Sequence, residues 1–162
     1  MTTLQERIET PLSIEEAFAY VADFTNAAEW DPGVADAERL DEGPIGRGSR
    51  FSLGVRLGPR VVPMEYSISE FDPPNRVVLV GSGSGISAVD EIRFDRLTSG
   101  TRIDYTADIR LGGLLRIVEP FLGRAFAKVG RNAADGMQRT LDAKARVELR
   151  GRDESDRAAG AA

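Results

Sequence analysis

Three side chains carry the chemistry that this sequence can offer to an enclosed space: Tyr66, Asp90 and Tyr105. Each lies in a stretch where apolar and polar residues alternate, which places every second side chain on one face of a β-strand. Phe51, Leu53, Met64 and Ile92 alternate in the same way, and if they face inward with Tyr105, so do Tyr66 and Asp90. The two tyrosines would offer hydroxyls to a carbonyl or phenol. Equally, each would pack in a core with its hydroxyl on a backbone group. Asp90 shares its face with Ala88, Ile92 and Phe94. A carboxylate so placed must be paired or must keep its proton at unusually high pH, which is a mark of functional sites. The competing reading, favoured by the glycine-rich stretch Gly81 to Gly85, sets Asp90 at a strand end in water.

Other chemistries are excluded by composition. The 162 residues include no histidine and no cysteine. A Ser-His-Asp triad, a cysteine nucleophile, disulfides and thiolate zinc sites are therefore ruled out, and with them most transition-metal sites. The acidic pairs Asp41-Glu42 and Asp90-Glu91 lack metal-ligand spacing. The segment Gly81-Ser82-Gly83-Ser84-Gly85 lacks the lysine and the following helix of a phosphate loop, and reads as a hairpin. No cofactor is implied. A net charge of −5 argues against a nucleic-acid partner, which demands a basic face. No apolar run approaches the roughly 20 residues that span a bilayer, so stable membrane insertion is not expected. The start, Met1 to Arg7, lacks the basic and apolar regions of a signal peptide, and a cytoplasmic location is expected.

The elements that position these residues follow from periodicity. Residues 3–10 alternate as a first strand, which Pro11 ends. Ser13-Ile14-Glu15-Glu16 is a capping box that starts a helix with Ala17, Phe18, Val21 and Ala22 on one face. A second helical turn, Asn26 to Glu29, precedes the turn-forming cluster Trp30-Asp31-Pro32-Gly33. From about 34 to 111 the pattern is that of strands, separated by Gly, Pro, Asn and Asp turn chemistry. After Gly113 the period changes to 3.6, with Leu115, Val118, Leu122, Ala125, Phe126, Val129, Ala133, Met137 and Thr140 on one side. Residues 114–149 are thus one amphipathic helix, which Pro120 should kink. Residues 151–162 lack apolar periodicity and are expected to be a disordered tail. One domain over 1–150 accounts for the rest.

A meander of this length coils, and its single apolar face must be covered by the one large apolar helix. A straight cylinder cannot fill a concave sheet, so a cavity between them is expected. The fold class is α+β, a helix-grip arrangement of about seven antiparallel strands around a long C-terminal helix. Trp30, the only tryptophan, either closes one mouth of the cavity or anchors the short helices in the core. Arg50, Arg56 and Arg102 fall on the solvated strand face.

The chain resembles the START/Bet v 1-like superfamily, and within it the bacterial polyketide cyclase/dehydrase-like proteins. The resemblance lies in Ser13 to Phe18, Val21-Ala22-Asp23-Phe24, Trp30 to Val34, Gly46 to Phe51, Phe71-Asp72-Pro73-Pro74, Gly100-Thr101-Arg102 and Gly113 to Arg116. It covers about residues 3–148. Such motifs specify fold more than function. The resemblance implies a small hydrophobic ligand, such as a lipid, isoprenoid or polyketide, in an internal cavity. The expected lining is Trp30, Phe51, Leu53, Met64, Tyr66, Asp90, Ile92, Tyr105, Leu122 and Phe126. A cyclase or dehydratase using Tyr66, Asp90 and Tyr105 is the alternative, and a stress-related protein-interaction module is a third. A monomer or homodimer is expected.

Overall fold

Alternating strands joined by tight turns lie down in chain order, and only the first strand departs from it. The computed structural model describes residues 1–113 and 123–159. The strands are β1 (Thr2–Thr10), β2 (Val34–Arg39), β3 (Arg50–Leu57), β4 (Arg60–Asp72), β5 (Arg76–Gly83), β6 (Ile86–Leu97) and β7 (Gly100–Leu111). They form one antiparallel sheet in the order β1-β7-β6-β5-β4-β3-β2. The meander β2 to β7 keeps sequence order, and β1 returns to pair with β7 from Thr2↔Ile109 to Thr10↔Thr101. The β5–β6 turn is Ser84-Gly85 with positive φ at both residues, 53° and 77°. That twist matches the flanking strands, so the glycine-rich stretch is a tight hairpin.

Between β1 and β2 the chain forms helix α1 (Ile14–Ala22), a 3-10 turn (Phe24–Asn26) and the short helix α2 (Ala27–Trp30). The capping box is present: Glu16 N–H donates to Ser13 Oγ at 3.3 Å, and Ser13 N–H donates to a Glu16 carboxylate oxygen at 3.0 Å. Phe18 of α1 meets Phe71 and Phe94 edge-on at 5.3 and 5.2 Å between centroids. This pins α1 across one end of the concave face.

The long helix α3 (Gly123–Ala159) grips the other side of that face. Its 37 residues make it about 55 Å long. Met137, Leu141 and Ala145 form its buried stripe. The helix runs on to Ala159, past residue 151, where a disordered tail is expected from the sequence. The absence of apolar periodicity removes a packing face; it does not remove the helix propensity of Arg, Glu and Ala. Residues 114–122, with the expected kink at Pro120, lie outside the described residues. Gln138 of α3 meets the edge strand: its Nε2 donates to Glu9 O at 2.6 Å, and Glu9 N–H donates to its Oε1 at 3.3 Å. The amide takes over the backbone groups that an edge strand leaves unpaired.

Candidate functional site

Between the concave sheet and α3 lies a cavity of about 170 Å³. For scale, a cavity of roughly 150 Å³ lined by aliphatic and aromatic side chains holds a benzene molecule. Most of the lining is apolar: Leu4 and Ile8 from β1, Leu53 and Val55 from β3, and Ala133 and Met137 from α3 among others. A band of aromatic rings runs along one wall. Phe24 lies 6.1 Å from Trp30 and 5.4 Å from Tyr66, and Trp30 lies 6.2 Å from Tyr105.

Tyr66 owes its position to a glycine. Its cross-strand partner is Gly81, and a Cβ there would stand 2.4 Å from Tyr66 Cε1. The phenol lies over the bare backbone of β5. Tyr66 is 8% exposed, and its hydroxyl has no hydrogen-bond partner among the described residues. Burial, then the nearby Asp90 and Asp31 carboxylates, push its pKa well above the ordinary tyrosine range. Tyr105 is raised likewise, for the same leading reason. Both are neutral phenols at physiological pH.

Asp90 is the unusual group. It lies in the middle of β6, 4% exposed, between Ala88 and Ile92 on the inward face. The expectation of a solvated strand end is overturned, because β6 already begins at Ile86 and the hairpin is tight. Burial drives its pKa up to about 7, with the Asp31 and Asp108 charges adding to the rise and a hydrogen bond from Tyr105 opposing it. Asp31 follows α2 and accepts from Gly33 N–H at 2.7 Å. Burial raises its pKa against that bond.

Of the residues expected to line the cavity, Trp30, Leu53, Tyr66, Asp90 and Tyr105 do so. Trp30 is 3% exposed, packs on Phe24 and lines the cavity. Phe51, Met64 and Ile92 face inward but are not in the lining. They are consumed by packing: Phe51 stacks edge-on against Phe24 at 6.3 Å, and Ile92 is fully buried. Leu122 lies outside the described residues, as does the side chain of Phe126. Arg50 pairs with Glu65 and Arg102 with Asp95 on the outer face. Arg56, expected to be solvated, is exposed and also reaches the cavity rim.

Asp31 and Glu6 line the cavity without having been singled out as site residues. For Glu6 the signal lies in the alternation Leu4, Glu6, Ile8. Asp31 is hidden in a Trp-Asp-Pro-Gly cluster whose turn chemistry is a sufficient explanation by itself. The assembled site is an apolar enclosure with two neutral phenols and a carboxyl group that changes protonation near neutral pH. Such a group can donate or accept a proton under physiological conditions. Among the described residues no group of three or more acidic side chains is placed to hold a metal ion, and no helix is long and apolar enough to cross a membrane.

The same architecture recurs in solved structures. A START superfamily protein from Mycobacterium smegmatis superposes with a TM-score of 0.73 at 14% identity, covering 87% of this chain and 97% of its own. The protein TTHA0849 from Thermus thermophilus gives 0.72 at 13% identity, covering 86% and 96%. The di-domain ARO/CYC protein StfQ from the steffimycin biosynthetic pathway gives 0.65 at 10% identity, covering 89% of this chain and 51% of its own. At such identities the likeness concerns the fold. No curated protein matches the chain. The family model described as polyketide cyclase/dehydrase and lipid transport matches residues 1–142, nearly the whole sheet-and-helix unit, and the chain belongs to that family.

Proposed function

We propose that the chain binds a small hydrophobic molecule, or the ring-sized end of a longer lipid, isoprenoid or polyketide, in the cavity between the sheet and α3. The observation that carries this reading is the cavity itself. Its volume of about 170 Å³ is apolar over most of its wall, with Tyr66, Asp90 and Tyr105 as polar groups that would orient a guest. That combination is the usual character of small-molecule sites. The volume lies below the roughly 300 Å³ at which drug-sized pockets begin, which supports one ring rather than several.

A second reading rests on Asp90. A carboxyl group with a pKa of about 7 beside two phenols suits the proton transfers of a cyclase or dehydratase-type reaction, in which the shaped cavity holds a reactive conformer. Both readings meet in one experiment. Native mass spectrometry of the purified protein, followed by denaturing extraction, should recover an apolar compound. An empty protein that also takes up no apolar ring compound added to it removes the binding reading. Incubating the recovered compound with wild-type and Asp90→Asn protein tests the second: a change of mass only with the wild type supports catalysis, and an unchanged compound with both leaves binding alone.

A further inference from the structure

Three carboxyl-bearing side chains line this cavity: Asp90, Asp31 and, half-buried on β1, Glu6. Asp90 and Asp31 both lie in the lining, and neither forms an ion pair among the described residues. A carboxylate in an apolar enclosure must take up a proton or be met by a cation. Among the described residues no such cation lies at depth. Arg56 is the one basic side chain among the described lining residues, and it is exposed at the rim. The helix wall, from Val129 to Met137, contributes no charge to the lining. Sharing the cavity with these carboxylates instead are the rings of Phe24, Trp30, Tyr66 and Tyr105. Aromatic faces attract cations, most strongly where water is excluded. The hydroxyl of Tyr66, without a partner among the described residues and in a side chain 8% exposed, adds an acceptor in the same wall. The whole molecule carries a net charge of −5, which favours the approach of positive ligands over negative ones.

We propose that the cavity selects a small organic cation, a protonated or quaternary amine on a ring-sized apolar body, whose charge is met by Asp90 and Asp31 and by the surrounding aromatic rings. This rests on the binding reading above and names the class of ligand for that site. The anionic and neutral alternatives are disfavoured by the same charges. An incoming carboxylate would meet Asp90, Asp31 and Glu6, and a neutral guest would bring no counter-ion to them.

The charge of the site changes with pH. The groups around Asp90 are Asp31 after α2, Tyr66 on β4, and Tyr105 and Asp108 on β7, with Glu6 of β1 and Arg56 of β3 also in the lining. Asp90 changes protonation at about 7, so a permanent cation should bind more weakly below that pH and more tightly above it.

The test uses the full chain, with Trp30 as an intrinsic fluorescent reporter because it is the only tryptophan and lines the cavity. The probes are benzyltrimethylammonium, which does not titrate, and its uncharged carbon isostere neopentylbenzene. At pH 8 the cation should bind on the order of ten-fold more tightly, and the preference should shrink between pH 8 and pH 5. The Asp90→Asn/Asp31→Asn double variant should lose it. Equal or tighter binding of the isostere at pH 8 overturns the cation inference and leaves the apolar-cavity reading standing. Binding of neither probe overturns both. A preference that survives in the double variant also overturns the inference, because Glu6 or the protein's overall charge, and not Asp90 and Asp31, would then be its cause. Circular dichroism of the double variant confirms that it is folded.

Discussion

Asp90 is held between Ala88 and Ile92 on the inward face of β6, with Leu79 and Ala107 as its cross-strand partners. Its pKa stands at about 7 against an ordinary 3.8. In the unfolded chain the group ionises at the lower value, so between about pH 4 and pH 7 the folded state binds the extra proton. Stability therefore falls as pH rises through this window and levels off above it. Asparagine keeps an acceptor for Tyr105 and has no charge to desolvate. The Asp90→Asn variant should be more stable than the wild type at pH 8, by an amount on the order of a few kcal/mol, with the gain vanishing towards pH 4. Urea melts at the two pH values measure this, and a gain independent of pH would contradict it. Alternation alone places this residue on the inward face, but it cannot say whether that face is wet. Gly81 to Gly85 reads as a hairpin that sets Asp90 at a strand end, whereas Gly81 is bare because the Tyr66 ring lies against it.

Helix α3 is set against the rest of the chain by a few close approaches. At Gly136 a Cβ would stand 1.9 Å from the carbonyl oxygen of Trp30, so the helix touches the α2 backbone directly. Further along, Lys144 Nζ sits 4.2 Å over the ring of Tyr20, whose hydroxyl donates to Glu29 at 2.6 Å. One interaction set thus ties α1, α2 and α3 together. Ala is the better helix former by about 1 kcal/mol, so Gly136→Ala would help an isolated helix. Here the added methyl meets backbone, and overpacking of this kind costs about 3 kcal/mol. The net expectation is a loss of roughly 2 kcal/mol in chemical denaturation. Gly151→Ala serves as the control, since a Cβ there meets nothing within 4 Å, and it should not destabilise. A stable Gly136→Ala protein would show that α2 and α3 do not touch in this way. The apolar period of α3 is legible in the sequence. Its rotation about its own axis is not: Val129, on the apolar side of the pattern, is 46% exposed, while Gln138, which lies off that side, completes β1.

For the molecule as a whole, the cavity couples ligand binding to stability. A guest that binds only the folded state at 100 times its Kd stabilises by about 2.7 kcal/mol. For a chain of this size each kcal/mol raises Tm by roughly 2–4 °C. A saturating cavity ligand should therefore raise Tm by about 5–10 °C in a thermal melt, and a compound that binds the outer surface alone should leave Tm nearly unchanged.

The local elements and their order are written in the linear pattern of residues. Alternation marks the strands, turn residues mark the reversals, the Ser13–Glu16 capping box starts α1, and a 3.6-residue period marks the long helix. These are contacts between near neighbours, so a one-dimensional pattern records them, and the α+β meander gripping a helix follows from burying their apolar faces. Which inward side chains front a cavity and which fill the core is settled in three dimensions. Phe51 and Tyr66 are cross-strand neighbours on the same concave face and both pack on the Phe24 ring, yet only Tyr66 fronts the cavity. That division depends on the curvature of seven strands and the tilt of one helix, sums over the whole sheet to which each residue adds little. The placement of Asp31 and Asp90 in one cavity has the same origin: the two are distant in sequence and share a lining only through the tertiary fold.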